Sequence, residues 1–151
     1  MQLEIRECST QIWKLFRKYH YMNSDINKTA ACYIGYYENN PVCFFAVLHF
    51  PHAQVKNFKK GHRLVVLPDY QGLGIGHKFS TFIADMYKKK GMRFIITSST
   101  KALFYQRAKD HRWAITRKGR TGESEGMLKG STSQRKMTYS YEYIGESAKL
   151  E

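Results

Sequence analysis

Apolar positions recur along the chain with two periods, and the places where one period gives way to the other predict its elements. Residues 3–7 alternate and predict a short first strand; Ser9 or Thr10 can then cap a helix that carries Ile12, Trp13, Phe16 and Tyr19 at helical spacing. Residues 20–28 are polar and read as a loop. Residues 31–37 and 42–50 predict a hairpin around an Asn-Asn-Pro turn, residues 52–61 a basic connection, and residues 62–67 the next strand. Over residues 78–90, Phe79, Phe82, Ile83 and Met86 follow the i, i+3, i+4, i+7 spacing of an amphipathic helix, which Gly91 ends. Phe94-Ile95-Ile96 is the continuous apolar run of a strand buried on both faces. Strand, helix and strand here predict a right-handed parallel βαβ unit. A second helix over 101–112, a short strand over 113–116 and a last strand over 137–144 complete the chain. Between those strands, residues 117–136 hold six basic and two acidic residues among Gly, Ser and Thr, and read as a long flexible basic loop.

At 151 residues the chain fits one domain, 1–151, with an apolar fraction of 42% that is ample for a core. Its charge is lopsided. Lys+Arg number 25 against 12 Asp+Glu, a net +13, which suits polyanions such as nucleic acid, an anionic membrane or a phosphorylated cofactor. Three cysteines, Cys8, Cys32 and Cys43, are odd in number and lack metal-ligand spacing, so no metal is expected. A symmetrical turn at residues 38–41 sets Cys43 opposite Tyr36 and away from Cys32. With no membrane-length apolar run and no signal-peptide pattern at the N-terminus, the expectation is a soluble cytoplasmic protein with reduced thiols.

The segment Gln71-Gly72-Leu73-Gly74-Ile75-Gly76-His77 links the apolar run Leu64–Leu67 to the predicted helix. Glycines so placed permit left-handed backbone and remove side chains where a ligand must touch the main chain. A helix beginning there aims free N–H groups and its positive dipole end at an anion. A Walker A loop requires Lys-Ser/Thr after its last glycine, where this chain has His77-Lys78; a Rossmann loop requires glycine where His77 stands. Both are poor matches.

Gln71-Gly72-Leu73-Gly74-Ile75-Gly76 resembles the acyl-CoA loop of the GNAT superfamily of N-acyltransferases, (Arg/Gln)-x-x-Gly-x-(Gly/Ala). Ala102-Leu103-Phe104-Tyr105 followed by Trp113 resembles that family's second cofactor segment. The resemblance implies an α/β (α+β) GNAT fold: a central mixed, mostly antiparallel twisted sheet with one parallel splayed pair, flanked by helices. It implies acetyl-CoA as donor, its pyrophosphate on the loop from Gln71 to Gly76 with His77 nearby. The pantetheine arm would pair with Val65, Val66 and Leu67. It also makes Tyr105 the general acid for the departing thiolate.

The base that takes the amine proton is harder to assign. Where many relatives carry a strand Glu, this chain has His62-Arg63. His62 can serve directly or through water, and His20, Asp25, His49 and Ser98 are further candidates. Arg63 can hold a phosphate or carboxylate of the acceptor, and Tyr19, Tyr21 and Tyr139 can supply stacking surfaces for a nucleobase. Three functions follow: an N-acetyltransferase for a primary amine, a GNAT-fold enzyme modifying tRNA or DNA, and a non-catalytic CoA-binding module. Monomer and homodimer both remain open.

Overall fold

The computed structural model describes residues 2–20, 25–50, 56–120 and 137–146. Tyr21 and residues 121–136 lie outside them. Among the described residues, β1 (Glu4–Cys8), β2 (Ala31–Tyr37), β3 (Asn40–His49), β4 (Phe58–Val66), β5 (Arg93–Ser98), β6 (Trp113–Arg120) and β7 (Met137–Tyr143) form one sheet of order β1-β2-β3-β4-β5-β7-β6. Only β4 and β5 run parallel; every other neighbouring pair is antiparallel. The helices are α1 (Trp13–Phe16), α2 (Ile75–Lys89) and α3 (Lys101–Lys109). Single 3-10 turns flank α1, and Ser9 Oγ accepts the Gln11 N–H at 3.2 Å to cap the first of them.

The sheet is covered on both faces, which is why its central strands read as unbroken apolar runs. Phe45, Phe94 and Trp113 pack against Phe79 and Ile83 of α2 on one face. Phe44, Ala46 and Val65 pack against Trp13 and Phe16 of α1 on the other. Helix α2 is the crossover between the parallel strands, as the apolar spacing predicts, but its buried stripe is Phe79, Ile83, Ala84 and Tyr87; Phe82 is 56% exposed.

Several boundaries differ from the sequence reading, each because strand pairing is non-local. β4 begins at Phe58 rather than residue 62, because Lys59, Lys60 and Gly61 pair with His49, Leu48 and Val47 of β3. β6 runs on to Arg120, so the expected 117–136 loop gives up its first four residues to a strand. The β2–β3 turn places Glu38 and Asn39 at φ of 49° and 67°, as a two-residue turn of mirror-image type requires. A bulge at Val42 then sets Cys43 opposite Gly35, not Tyr36. Gly35 is required there, since a Cβ would lie 2.5 Å from Cys43 Sγ. Cys8 and Cys32 face each other across β1 and β2, and all three cysteines are free thiols. Burial raises them, to about 12 for Cys8 and Cys43 and about 11 for Cys32.

Candidate active site

The parallel strands stay together for three residue pairs, Phe58↔Arg93, Lys59↔Phe94 and Lys60↔Ile95. Beyond them β4 continues beside β3 while β5 continues beside β7, and the two strands part. Gly61 stands at the fork, where a Cβ would meet Ile96 Cγ1 at 2.9 Å and Phe45 Cζ at 3.0 Å. The next residue, His62, has no opposite number on β3, because Arg63 pairs with Ala46 and Gly61 with Val47. This is a β-bulge, which re-aims side chains and interrupts the ladder. A cavity of about 70 Å3 fills the fork, bounded by His20, Gly61, His62, Arg63, Ile96 and Ser98.

A larger cavity of about 510 Å3 adjoins it, with His20, Leu64, Thr100 and Leu103 lining both. Its far wall is the glycine turn. Gly72 and Gly74 take φ of 82° and 77°, the left-handed region closed to most side chains. Gly76 is helical, and its Cβ position lies 3.4 Å from Val66 Cγ2 and 3.6 Å from Leu103 Cδ2, ordinary van der Waals contact, so a small residue here lets α2 start close to β4 and α3. The Lys78 N–H is bonded to the Gly74 carbonyl at 3.1 Å, and the amides ahead of it in the first turn have no intrahelical acceptor. Gln71 Nε2 donates to the Val66 carbonyl at 2.9 Å and closes the turn onto the strand.

Not every residue read from the sequence comes to this place. Val66 lines the larger cavity together with Leu64, whereas Val65 and Leu67 pack toward α1. The Leu67 amide is bonded to the Val42 carbonyl at 2.9 Å. His77 turns away from both cavities and bonds Asp110 through Nε2 at 2.8 Å, in a network that includes Arg112. Burial lowers its pKa, so it is a neutral clamp between α2 and the end of α3. Tyr105 is 59% exposed and packs on Phe104; it lines neither cavity. The residues of α3 and its cap that do so are Thr100, Ala102, Leu103 and Gln106. Their spacing is that of one helix face, and it puts position 105 on another. Tyr139 stacks on Phe104 at 4.1 Å, Asp25 is paired with Arg17 at 2.8 Å, and His49 is exposed. Tyr19 lines the larger cavity. Tyr21 lies outside the described residues.

His62 does reach the fork, but its Nε2 accepts the Asn27 N–H at 3.3 Å, which ties the lone pair a base would use to the backbone before β2. Burial, aided by Arg63 and Lys60, lowers its pKa to about 4. His20, missed as a principal residue because nothing local distinguishes it, is 8% exposed and lines both cavities. Burial, then Arg63, then His62 lower it also to about 4, so it is neutral at neutral pH. Among the described residues no cluster of three His, Cys, Asp or Glu side chains could hold a metal, and no helix is long and apolar enough to cross a membrane.

The family model described as an acetyltransferase (GNAT) domain matches residues 28–108, the span from the start of the β2 hairpin to α3. The chain belongs to the GNAT acetyltransferase family. It is therefore an acyltransferase, and the seven-stranded sheet with its splayed parallel pair is the GNAT fold. No curated protein is a detectable relative by sequence. Solved structures resemble this GNAT chain in fold. The ribosomal-protein-S18-alanine N-acetyltransferase of Escherichia coli is 12% identical with a TM-score of 0.68, covering 99% of each chain. A Bacillus subtilis acetyltransferase in complex with CoA is 13% identical with a TM-score of 0.69, covering 94% of this chain and 98% of its own. A GNAT acetyltransferase from Elizabethkingia anophelis with acetyl-CoA bound is 13% identical with a TM-score of 0.66, covering 93% and 97%.

Proposed function

We propose that this GNAT enzyme transfers an acetyl group from acetyl-CoA to a primary amine by direct attack of the nitrogen on the thioester carbonyl. One observation carries the reading: the glycine turn at the start of α2 and the fork between β4 and β5 open onto adjoining cavities with shared walls. A pyrophosphate fits the first, where two left-handed glycines and the first-turn amides of α2 meet. A pantetheine arm fits the edge of β4 that β5 has left, as an added strand. The CoA and acetyl-CoA in the Bacillus and Elizabethkingia structures support the same donor here.

The reaction needs an acceptor for the amine proton and a donor for the thiolate. His20, held neutral between the two cavities, is the side chain best placed to receive the first. Tyr105, on the solvent face of α3, is not assigned the second. The basic cluster of Lys59, Lys60, Lys90 and Arg93 surrounds Phe50, Phe58 and Tyr87 at the opposite end of β4. Lys60 is the member nearest the fork, two residues from His62, whose pKa it helps to lower.

Calorimetric titration with acetyl-CoA, followed by chromatographic detection of CoA released in the presence of a panel of amines, tests the reading. Saturable binding with amine-dependent CoA release is expected. Binding without release from any amine, peptide or RNA acceptor marks a non-catalytic module, and no binding at all removes the donor assignment.

A further inference from the structure

We propose that Arg107, a guanidinium buried behind the start of α2, is a counter-charge for the donor's pyrophosphate and raises the affinity of the glycine turn for it. The proposal rests on the acetyl-CoA reading of that turn and adds a residue that acts on it from within the fold.

Arg107 is 1% exposed and is the residue that α3 buries outright. Long charged side chains are rarely buried so completely unless an opposite charge accompanies them. Among the described residues no carboxylate forms an ion pair with Arg107. Asp110, at the end of the same helix, gives both its oxygens to Arg112 and shares one of them with His77. Arg107 Nη2 donates to Ser80 Oγ at 3.5 Å, and its Nε is buried without a hydrogen-bond partner. The guanidinium carbon lies 5.4 Å from the centroid of the Trp113 ring. A hydroxyl, an indole face and the last turn of its own helix spread the charge without cancelling it. Burial lowers its pKa to about 10, which leaves it protonated at neutral pH.

The position of this charge gives it a use. Ser80 Oγ, which receives Arg107 Nη2, itself donates to the Gly76 carbonyl at 2.8 Å. Two contacts therefore link the guanidinium to the place where the glycine turn enters α2. The free first-turn amides and the positive dipole end of α2 are at that same place. Two positive features meet there, and the free protein holds them together at a cost. A diphosphate seated on the turn relieves both, because its charge is opposite to each. Ser80, Trp113 and Tyr141 around the guanidinium are buried, so its attraction is screened far less than that of a surface lysine. Gln106, the preceding residue of α3, lines the donor cavity directly, so neighbouring positions serve the turn by contact and by charge.

Calorimetry on the parent, Arg107→Met and Arg107→Lys tests the proposal with three ligands: acetyl-CoA, its dephospho form without the ribose phosphate, and S-acetylpantetheine, which lacks every phosphate. Arg107→Met is expected to bind the first two at least tenfold more weakly and S-acetylpantetheine as the parent does. Arg107→Lys, which keeps the charge, should return acetyl-CoA to within about threefold of the parent. Equal weakening of all three ligands, the mark of a packing role, overturns the proposal, as does an acetyl-CoA affinity unchanged in Arg107→Met. A loss confined to the form with the ribose phosphate overturns the choice of pyrophosphate. The parent alone supplies a second measurement, whether or not the variants fold. The Arg107 Nε–H resonance of the isotope-labelled protein should move on saturation with acetyl-CoA and stay in place with S-acetylpantetheine; a signal unmoved by acetyl-CoA overturns the proposal. A parent that binds S-acetylpantetheine as tightly as acetyl-CoA overturns this proposal alone. A parent that binds none of the three removes the acetyl-CoA reading, and the role of Arg107 falls with it.

Discussion

Gly61 shows what one absent methyl group decides. It stands where β4 leaves β5, with the side chains of Ile96 and Phe45 filling the space a Cβ would take. Gly61→Ala should cost about 1–3 kcal/mol through overpacking. Urea unfolding should show the loss in its midpoint, with Gly91→Ala as a control for left-handed strain where nothing lies within 4 Å. Tyr105 makes the opposite point. It is 59% exposed and lines neither cavity, so Tyr105→Phe should leave kcat and KM within about twofold of the parent; a hundredfold loss of kcat, the scale of general acid catalysis, would return it to the mechanism. The residue type at position 105 was legible, but its direction was not. α3 buries only Arg107 outright, and with so weak an apolar stripe its rotation is set by packing rather than by pattern. His62 was legible as a titratable group at the right strand position. Its role depends on where the Asn27 amide lands, 35 residues away in sequence.

Among the elements, the turn into α2 was the most readable, because its demands are local. Gly72 and Gly74 can take the left-handed backbone they adopt because glycine has no Cβ. Replacing Gly74 by Val forces a β-branched side chain to φ near 77° and crowds Gln106 Nε2, which lies 3.4 Å from the Cβ position. Acetyl-CoA affinity should fall at least tenfold by calorimetry, with a stability loss of about 1–2 kcal/mol from the left-handed conformation. The start of β4 was unreadable for the reverse reason. Phe58-Lys59-Lys60-Gly61 has no alternation of its own and becomes strand through partners on both β3 and β5. The bulges at Val42 and His62 belong to the same class, since each is defined by a count across two strands.

For the molecule as a whole, His20, which is buried, and His62, which is half-buried, set the response to acid. His20 and His62 have pKa values lowered to about 4 from 6.5, so between those values the unfolded chain binds more protons than the folded one. Their contribution is intact above pH 6.5 and is lost as the pH falls toward 4. The urea midpoint should drop between pH 7 and pH 4.5, and His20→Gln with His62→Gln should flatten that slope; an unchanged slope would refute the linkage. Below pH 4, Asp110, held low by Arg112, and Asp85, held low by Lys89, add to the loss. The fork has a consequence at this scale too. Among the described residues, three pairs join the β1–β4 half of the sheet to the β5–β7 half along their common seam. The molecule thus carries an edge strand in its own middle, a row of backbone donors and acceptors that most proteins keep at the rim or cover. A donor that lies along that edge acts as a keystone as well as a reactant. Hydrogen exchange at Leu64 to Val66 and at Ile96 to Ser98 should slow together when it binds, as two half-sheets become one.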